Sequence, residues 1–183
     1  MYIKKILLAF FLIFFSYQFS LADETIRGEN NAYRHNNKGL IYYREKYYFG
    51  AIKEFQMAID LNPKTQAAAV YYTNLGNTYE TIGYHDLARN CFEKALGLNA
   101  LCFEHYFRLA TNYKNLGIVD EKLEEYISKT NSPLNQIMVG LLYIQKGETS
   151  IGITVLDEFC NNEPNLLVTA GVKKYLKEIT LGS

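Results

Sequence analysis

The chain reads as all-α, a right-handed α-solenoid of stacked helix-turn-helix units closed by a C-terminal capping helix. Three observations predict this. Leu75, Gly76 and Tyr79 share one face of a helix, and Ala88, Phe92 and Ala95 recur at i, i+4 and i+7 on the next, with Gly83 between them. Small residues recur at Gly39, Gly76, Ala110 and Gly140, at intervals of 37, 34 and 30 residues. One such helix pair cannot bury both its apolar faces, so the recurrence implies neighbours of the same build.

The N-terminus is different in kind. Lys4 and Lys5 precede the apolar run Ile6 to Phe15, and Ser20-Leu21-Ala22 sets small residues where a signal peptidase inspects them. Residues 1–22 are expected to be a secretory signal cleaved after Ala22, rather than a retained anchor, because Ser16, Gln18 and Ser20 make the span short and polar at its end. Cleavage would take two lysines from a balance of 19 basic and 19 acidic residues and leave a slightly acidic chain. A basic nucleic-acid surface is not expected, nor attraction to a membrane surface, nor a membrane span after cleavage. Three cysteines, Cys91, Cys102 and Cys160, have no metal-ligand spacing. Each is expected to be a small buried or half-buried residue without a disulfide partner.

Residues 23–31 form a polar lead without periodicity, expected to be flexible. Four units follow, at 32–65, 69–100, 103–131 and 133–164. The first carries Gly39, Tyr42, Ala51, Phe55, Ala58 and Pro63. The third has Leu109, Ala110 and Tyr113, and the fourth has Val139, Gly140, Tyr143, Leu156, Phe159 and Pro164. Gly83, Gly117 and Gly147, and Lys46 in the first unit, stand where a left-handed residue would end a first helix. Asn62-Pro63 and Glu163-Pro164 end second helices, because the residue before proline is pushed out of the helical region. Lys64-Thr65-Gln66 accounts for the longest interval as extra turn residues. Thr130-Asn131-Ser132-Pro133 makes the shortest link, with Pro133 suited to the first turn of the next helix. Beyond Pro164, Leu166, Leu167, Ala170, Val172, Tyr175, Leu176 and Ile179 alternate with Lys173, Lys174 and Lys177 across residues 165–183. That is one amphipathic helix able to cap the stack with its polar face outward.

From residue 32 to residue 164 the chain resembles the tetratricopeptide repeat family, whose pattern is an aromatic residue, Leu-Gly and Tyr on the first helix, then Ala, Phe, Ala and Pro on the second. Tyr72, Leu75, Gly76, Tyr79, Ala88, Phe92 and Ala95 follow it closely. The first unit departs at Lys38, where Leu is usual. The third has Lys122 and Lys129 at the small slots, and the fourth has Gly152 and Phe159 where Ala is usual.

The resemblance implies protein or peptide binding in a concave groove lined by first helices. It implies groove residues Tyr33, Asn36, Leu40 and Tyr43, then Val70, Thr73, Asn77 and Glu80, then Glu104, Phe107, Thr111 and Lys114. A fourth set is Leu134, Ile137, Leu141 and Ile144, which the terminal helix would cover if it caps this end. Members of the family that clamp a C-terminal carboxylate use Lys and Asn on the first unit, Asn on the second, and Lys and Arg on the third. Here Asn77 and Arg108 match while Asn36, Leu40 and Glu104 occupy the other slots, so an acid stands where a cation would bind carboxylate.

Nothing in the sequence supplies a reaction centre or a metal or cofactor site. There is no Gly-rich phosphate loop and no Cys-x-x-Cys; His35, His85 and His105 fall in three different units, and Ser128 and Thr149 have no base at a readable spacing. The chain is therefore expected to be a non-catalytic scaffold of the cell envelope, periplasmic or secreted, whose partner is another protein or an extended peptide. The alternative is a small carbohydrate-binding or hydrolytic envelope protein using groove tyrosines as platforms, with Glu80 and Glu104 as the available acids; a self-assembling structural piece is a third.

Overall fold

The computed structural model describes residue 14 and residues 28–129 and 132–181. The expected signal, residue 14 apart, and the Thr130–Asn131 part of the third link lie outside the described residues. Helix α1 covers residues 28–44, followed by α2 Tyr48–Leu61, α3 Gln66–Thr81, α4 His85–Leu98, α5 Phe103–Asn115, α6 Val119–Ser128, α7 Asn135–Lys146, α8 Thr149–Asn162 and α9 Leu167–Leu181. No strand occurs among the described residues. The polar lead is already helical from residue 28, so its last residues belong to α1 rather than to a flexible start. Pro133 lies in the turn before α7, one residue ahead of the N-cap Leu134, and Gln66 opens α3 with Thr65 as its cap.

Turn chemistry sets the reversals. Gly83, Gly117 and Gly147 have φ of 81°, 71° and 97°, and Lys46 adopts 61° in the equivalent turn. After each, a backbone N–H reaches back to a tyrosine carbonyl: Tyr47 to Tyr42, Tyr84 to Tyr79, Ile118 to Tyr113 and Glu148 to Tyr143. At the start of α3 the Thr65 hydroxyl accepts from the Ala68 N–H at 3.2 Å.

Within each tightly packed pair, a glycine on one helix admits a bulky residue from the other. A Cβ at Gly39 would lie 2.6 Å from Phe55, at Gly76 2.6 Å from Phe92, and at Gly140 2.6 Å from Leu156. Phe55, Phe92 and Leu156 are fully buried as a result. The third pair is looser. Lys122 at its small slot keeps α6 away from α5, holds Glu125 at 2.8 Å and sits over the Tyr113 ring, and Leu123 is the residue α6 buries most deeply.

The departure at Lys38 has a physical reason. In the second unit Tyr72, Leu75 and Cys91 pack toward α2 of the unit before. The residues 37 positions earlier are His35, Lys38 and Glu54, and His35 Nδ1 and Lys38 Nζ each lie 2.7 Å from the Glu54 carboxylate. Burial alone would raise the Glu54 pKa, but hydrogen bonds from His35 and Lys38 outweigh it and hold the group below its ordinary value. A hydrogen-bonded cluster around Glu54 thus stands in the first unit where Tyr72, Leu75 and Cys91 stand in the second. Cys91 and Cys160 are buried and Cys102 half-buried, all as free thiols; burial pushes Cys91 up to about 11, which keeps it protonated.

Candidate peptide groove

Successive first helices are joined side by side through a ladder of hydrogen bonds. Asn74 Nδ2 donates to Asn36 Oδ1 at 2.8 Å. Thr73 Oγ1 is 3.0 Å from His105 Nδ1 and donates to the Ala69 carbonyl, so the histidine N–H must be the donor between them. Thr81 donates to the Asn77 carbonyl, leaving the Tyr43 hydroxyl to donate to Thr81 at 2.9 Å. Asn112 Nδ2 and Asn115 Nδ2 each reach Glu80 Oε1 at 3.0 Å, and His85 Nδ1 lies 2.7 Å from Glu80 Oε2. Gln145 Nε2 lies 3.5 Å from the Thr111 hydroxyl.

This ladder sorts the expected groove residues. Asn36 and Thr73 are only 5% and 6% exposed, because their side chains are used between helices rather than turned outward. Phe107 is half-buried: its ring centroid lies 5.5 Å from Tyr175 of α9 and 6.4 Å from Phe103. Ile137 and Leu141 are fully buried in the same core cluster as Val168, Val172 and Leu176 of α9, so the fourth set offers no open apolar floor. Tyr33, Val70, Glu104 and Lys114 are exposed, and Thr111, Leu134 and Ile144 are half-buried.

The remaining four, Leu40, Tyr43, Asn77 and Glu80, come together in one depression of about 420 Å³, which Phe55, Asn74, Thr81 and Arg108 complete. Asn74 and Thr81 were not among the expected groove residues. Each lies 38 positions after its partner on α1, one more than the spacing of the glycines, because neighbouring first helices are staggered by a residue. Arg108 enters the depression while its Nε donates to Glu104 Oε1 at 2.6 Å. Burial favours the neutral form of Glu80, but the hydrogen bonds from His85, Asn115 and Asn112 together overcome this and lower its pKa. Among the described residues the Asn77 side-chain amide makes no hydrogen bond, so its donors and acceptor remain available within the depression.

His105 gives the ladder a pH dependence. Burial lowers its pKa, with Glu104 opposing, and Nε2 is buried without a partner. The unfolded chain takes up this proton first, so stability is complete above the ordinary value of 6.5 and declines as pH falls below it. Unfolding free energy is expected to fall by at most about 1.4 kcal/mol per pH unit from this group. Denaturant titrations from pH 7 to 5 should show a component that disappears in His105→Gln. Below about pH 4.5, protonation of Glu80 and Glu54 adds a further loss.

The family model for the tetratricopeptide repeat matches residues 69–100. No curated protein sequence matches. Among solved structures, the chain is similar to the crystal structure of MamA at 23% identity, over 74% of this chain and 80% of that one, with a TM-score of 0.50. It also aligns with the TPR domain of Arabidopsis OM64 at 17% identity, over 82% of this chain and 98% of that one, with a TM-score of 0.45. The matched unit is α3 and α4, the pair that carries Gly76 against Phe92, and helix pairs of the same build flank it. Residues 69–100 carry a tetratricopeptide repeat, and the chain is folded as an all-α solenoid.

Proposed function

We propose that this protein is a non-catalytic scaffold that binds an extended segment of another protein across its first two units. The observation that carries this reading is the unpartnered Asn77 amide in the depression with Tyr43 and Leu40. A primary amide offers both donor and acceptor, and so matches the backbone N–H and C=O of an extended chain. Tyr43 and Leu40 supply apolar surface for its side chains, while Arg108 and Glu80 set one charge of each sign beside them.

The hydrolytic alternative is disfavoured by the same geometry. Glu104 is paired with Arg108, and Glu80 already accepts from two asparagines and a histidine, so neither carboxylate is poised for proton transfer. Balanced charge supports a protein partner over nucleic acid. No helix among the described residues is long and apolar enough to cross a membrane. The N-terminal pattern of Lys4, Lys5, an apolar run and Ala22 supports export to the periplasm or beyond.

Partner capture from a cell-envelope extract tests the reading, with Asn77→Ala, Tyr43→Ala and the control pair Lys173→Ala and Lys174→Ala on the outer face of α9. Each groove change is expected to lower affinity by about 1–3 kcal/mol, as for an interface anchor, and the control pair far less. Equal affinity of the parent and both groove variants for every captured protein would contradict it.

A further inference from the structure

Helix α9 does more than close the end of the stack. It packs on α8 and also crosses to α5, two first helices back along the chain order. The Tyr175 ring centroid lies 5.3 Å from Phe103 and 5.5 Å from Phe107. Gly171 approaches so closely that a Cβ there would sit 2.5 Å from the Phe103 Cβ. Phe107 occupies in the third unit the slot that Asn36 and Thr73 hold in the first and second. Those two are covered by the next first helix, whereas Phe107 is covered by Tyr175 of α9.

The α5–α9 contact also differs in character from the rest of the ladder. Side-chain hydrogen bonds link α1 to α3, α3 to α5, and α5 to α7. Between α5 and α9 the contact is aromatic, and beside it lies an open crevice of about 400 Å³ lined by Cys102, Phe103, Phe107, Gly171 and Tyr175. The N-terminal half of α9 is held firmly, with Val168, Thr169 and Val172 buried and the Thr169 hydroxyl donating to the Glu163 carbonyl at 2.5 Å. Farther along, Lys173, Lys174, Lys177 and Glu178 are exposed, and Leu176 and Ile179 are less deeply covered. The helix is thus anchored next to the Pro164 turn and joined to α5 through rings over an incompletely filled space.

We propose that α9 is an autoinhibitory strap: Tyr175 lies over Phe107, the aromatic groove residue of the third unit, and a bound segment that extends beyond the first two units lifts α9 from α5. The proposal rests on the peptide-groove reading above. The strap lowers the apparent affinity for a long segment by the fraction of chains in which α9 is open, and weakening it removes that penalty. Short segments confined to the Tyr43–Asn77 depression are unaffected.

The test uses the intact chain and, as probe, a labelled synthetic peptide of residues 165–181, the strap itself supplied in trans. Tyr175→Ala is expected to bind the probe at least tenfold more tightly than the parent. A chain in which Lys174→Cys is bridged to Cys102 by a short thiol crosslinker is expected not to bind it. Equal affinity of parent and Tyr175→Ala, or binding by the bridged chain as tight as by Tyr175→Ala, overturns the proposal. Amide exchange on the unaltered parent provides a reading that does not depend on any variant folding. The amides of α9 should exchange through an opening that leaves α7 and α8 protected, and a common rate for α8 and α9 would count against the strap. Because the probe is the chain's own helix, the two readings fail separately. Partner capture that depends on Tyr43 and Asn77, together with indifference of the probe to Tyr175→Ala, keeps the groove and removes the strap; the opposite pattern removes the groove and with it the autoinhibitory role, leaving a helix that opens with no groove to guard.

Discussion

Gly152→Ala is expected to destabilise the protein by about 3 kcal/mol or more, the upper end for overpacking, although alanine is the usual residue at this slot in the family it resembles. A Cβ at Gly152 would lie 2.5 Å from the Gly140 carbonyl oxygen and 2.5 Å from Ile144 Cγ1, with the Ile144 backbone nitrogen at 3.1 Å. The far end of a flexible side chain can yield to such a contact, but a helix backbone can do so only if the two helices separate. Separation of α7 from α8 would in turn unseat Leu156 and Phe159, both fully buried. Denaturant midpoints of parent and variant measure the effect, and a midpoint shift within error would show that α7 and α8 do not approach as described. A design that restored the usual alanine would therefore weaken this unit.

The second large effect belongs to the pair Gly76 and Phe92. Phe92 is 1% exposed, and its Cε1 lies 2.6 Å from where a Gly76 Cβ would stand. Phe92→Ala is expected to cost about 3–5 kcal/mol through lost burial and the cavity left behind. Gly76→Ala alone should cost about 1–3 kcal/mol, because the buried ring has little room to move. The double variant should be more stable than the sum of the two losses implies, by about 1 kcal/mol or more, since the cavity accepts the new methyl group. Additive losses in a double-mutant cycle would mean that ring and glycine do not meet.

The second of these contacts also marks where the sequence was informative, whereas Gly152 was visible only as a departure from the usual alanine. Gly76, Phe92 and the turn glycines were readable because each role is set by local chain geometry and by a helix partner a few residues away. The same holds for Lys46, which takes the left-handed conformation in the place its glycine counterparts predict. Lys38 was visible as a departure, but its reason was not. Only the fold shows that His35, Lys38 and Glu54 meet, standing where Tyr72, Leu75 and Cys91 stand in the second unit.

The groove was less readable, because first-helix slots face either outward or a neighbour according to how the helices are staggered. Asn36 and Thr73 carry polar side chains that suit a ligand as well as they suit the inter-helix hydrogen bonds they make. Their burial follows from Asn74 and His105 opposite them, 38 and 32 positions later, spacings that the 37- and 34-residue glycine intervals do not supply. Phe107 depends on the direction α9 takes after Pro164, and amphipathicity sets which face of α9 is apolar but not which helix receives it.

Backbone amide shift mapping with the segment recovered by partner capture tests the central claim most directly. Resonances of Leu40, Tyr43, Asn77 and Glu80 should move together and saturate at one affinity, while those on the outer faces of α2, α4 and α8 stay in place. Shifts centred on those outer faces, with the four groove residues unmoved at saturation, would contradict it.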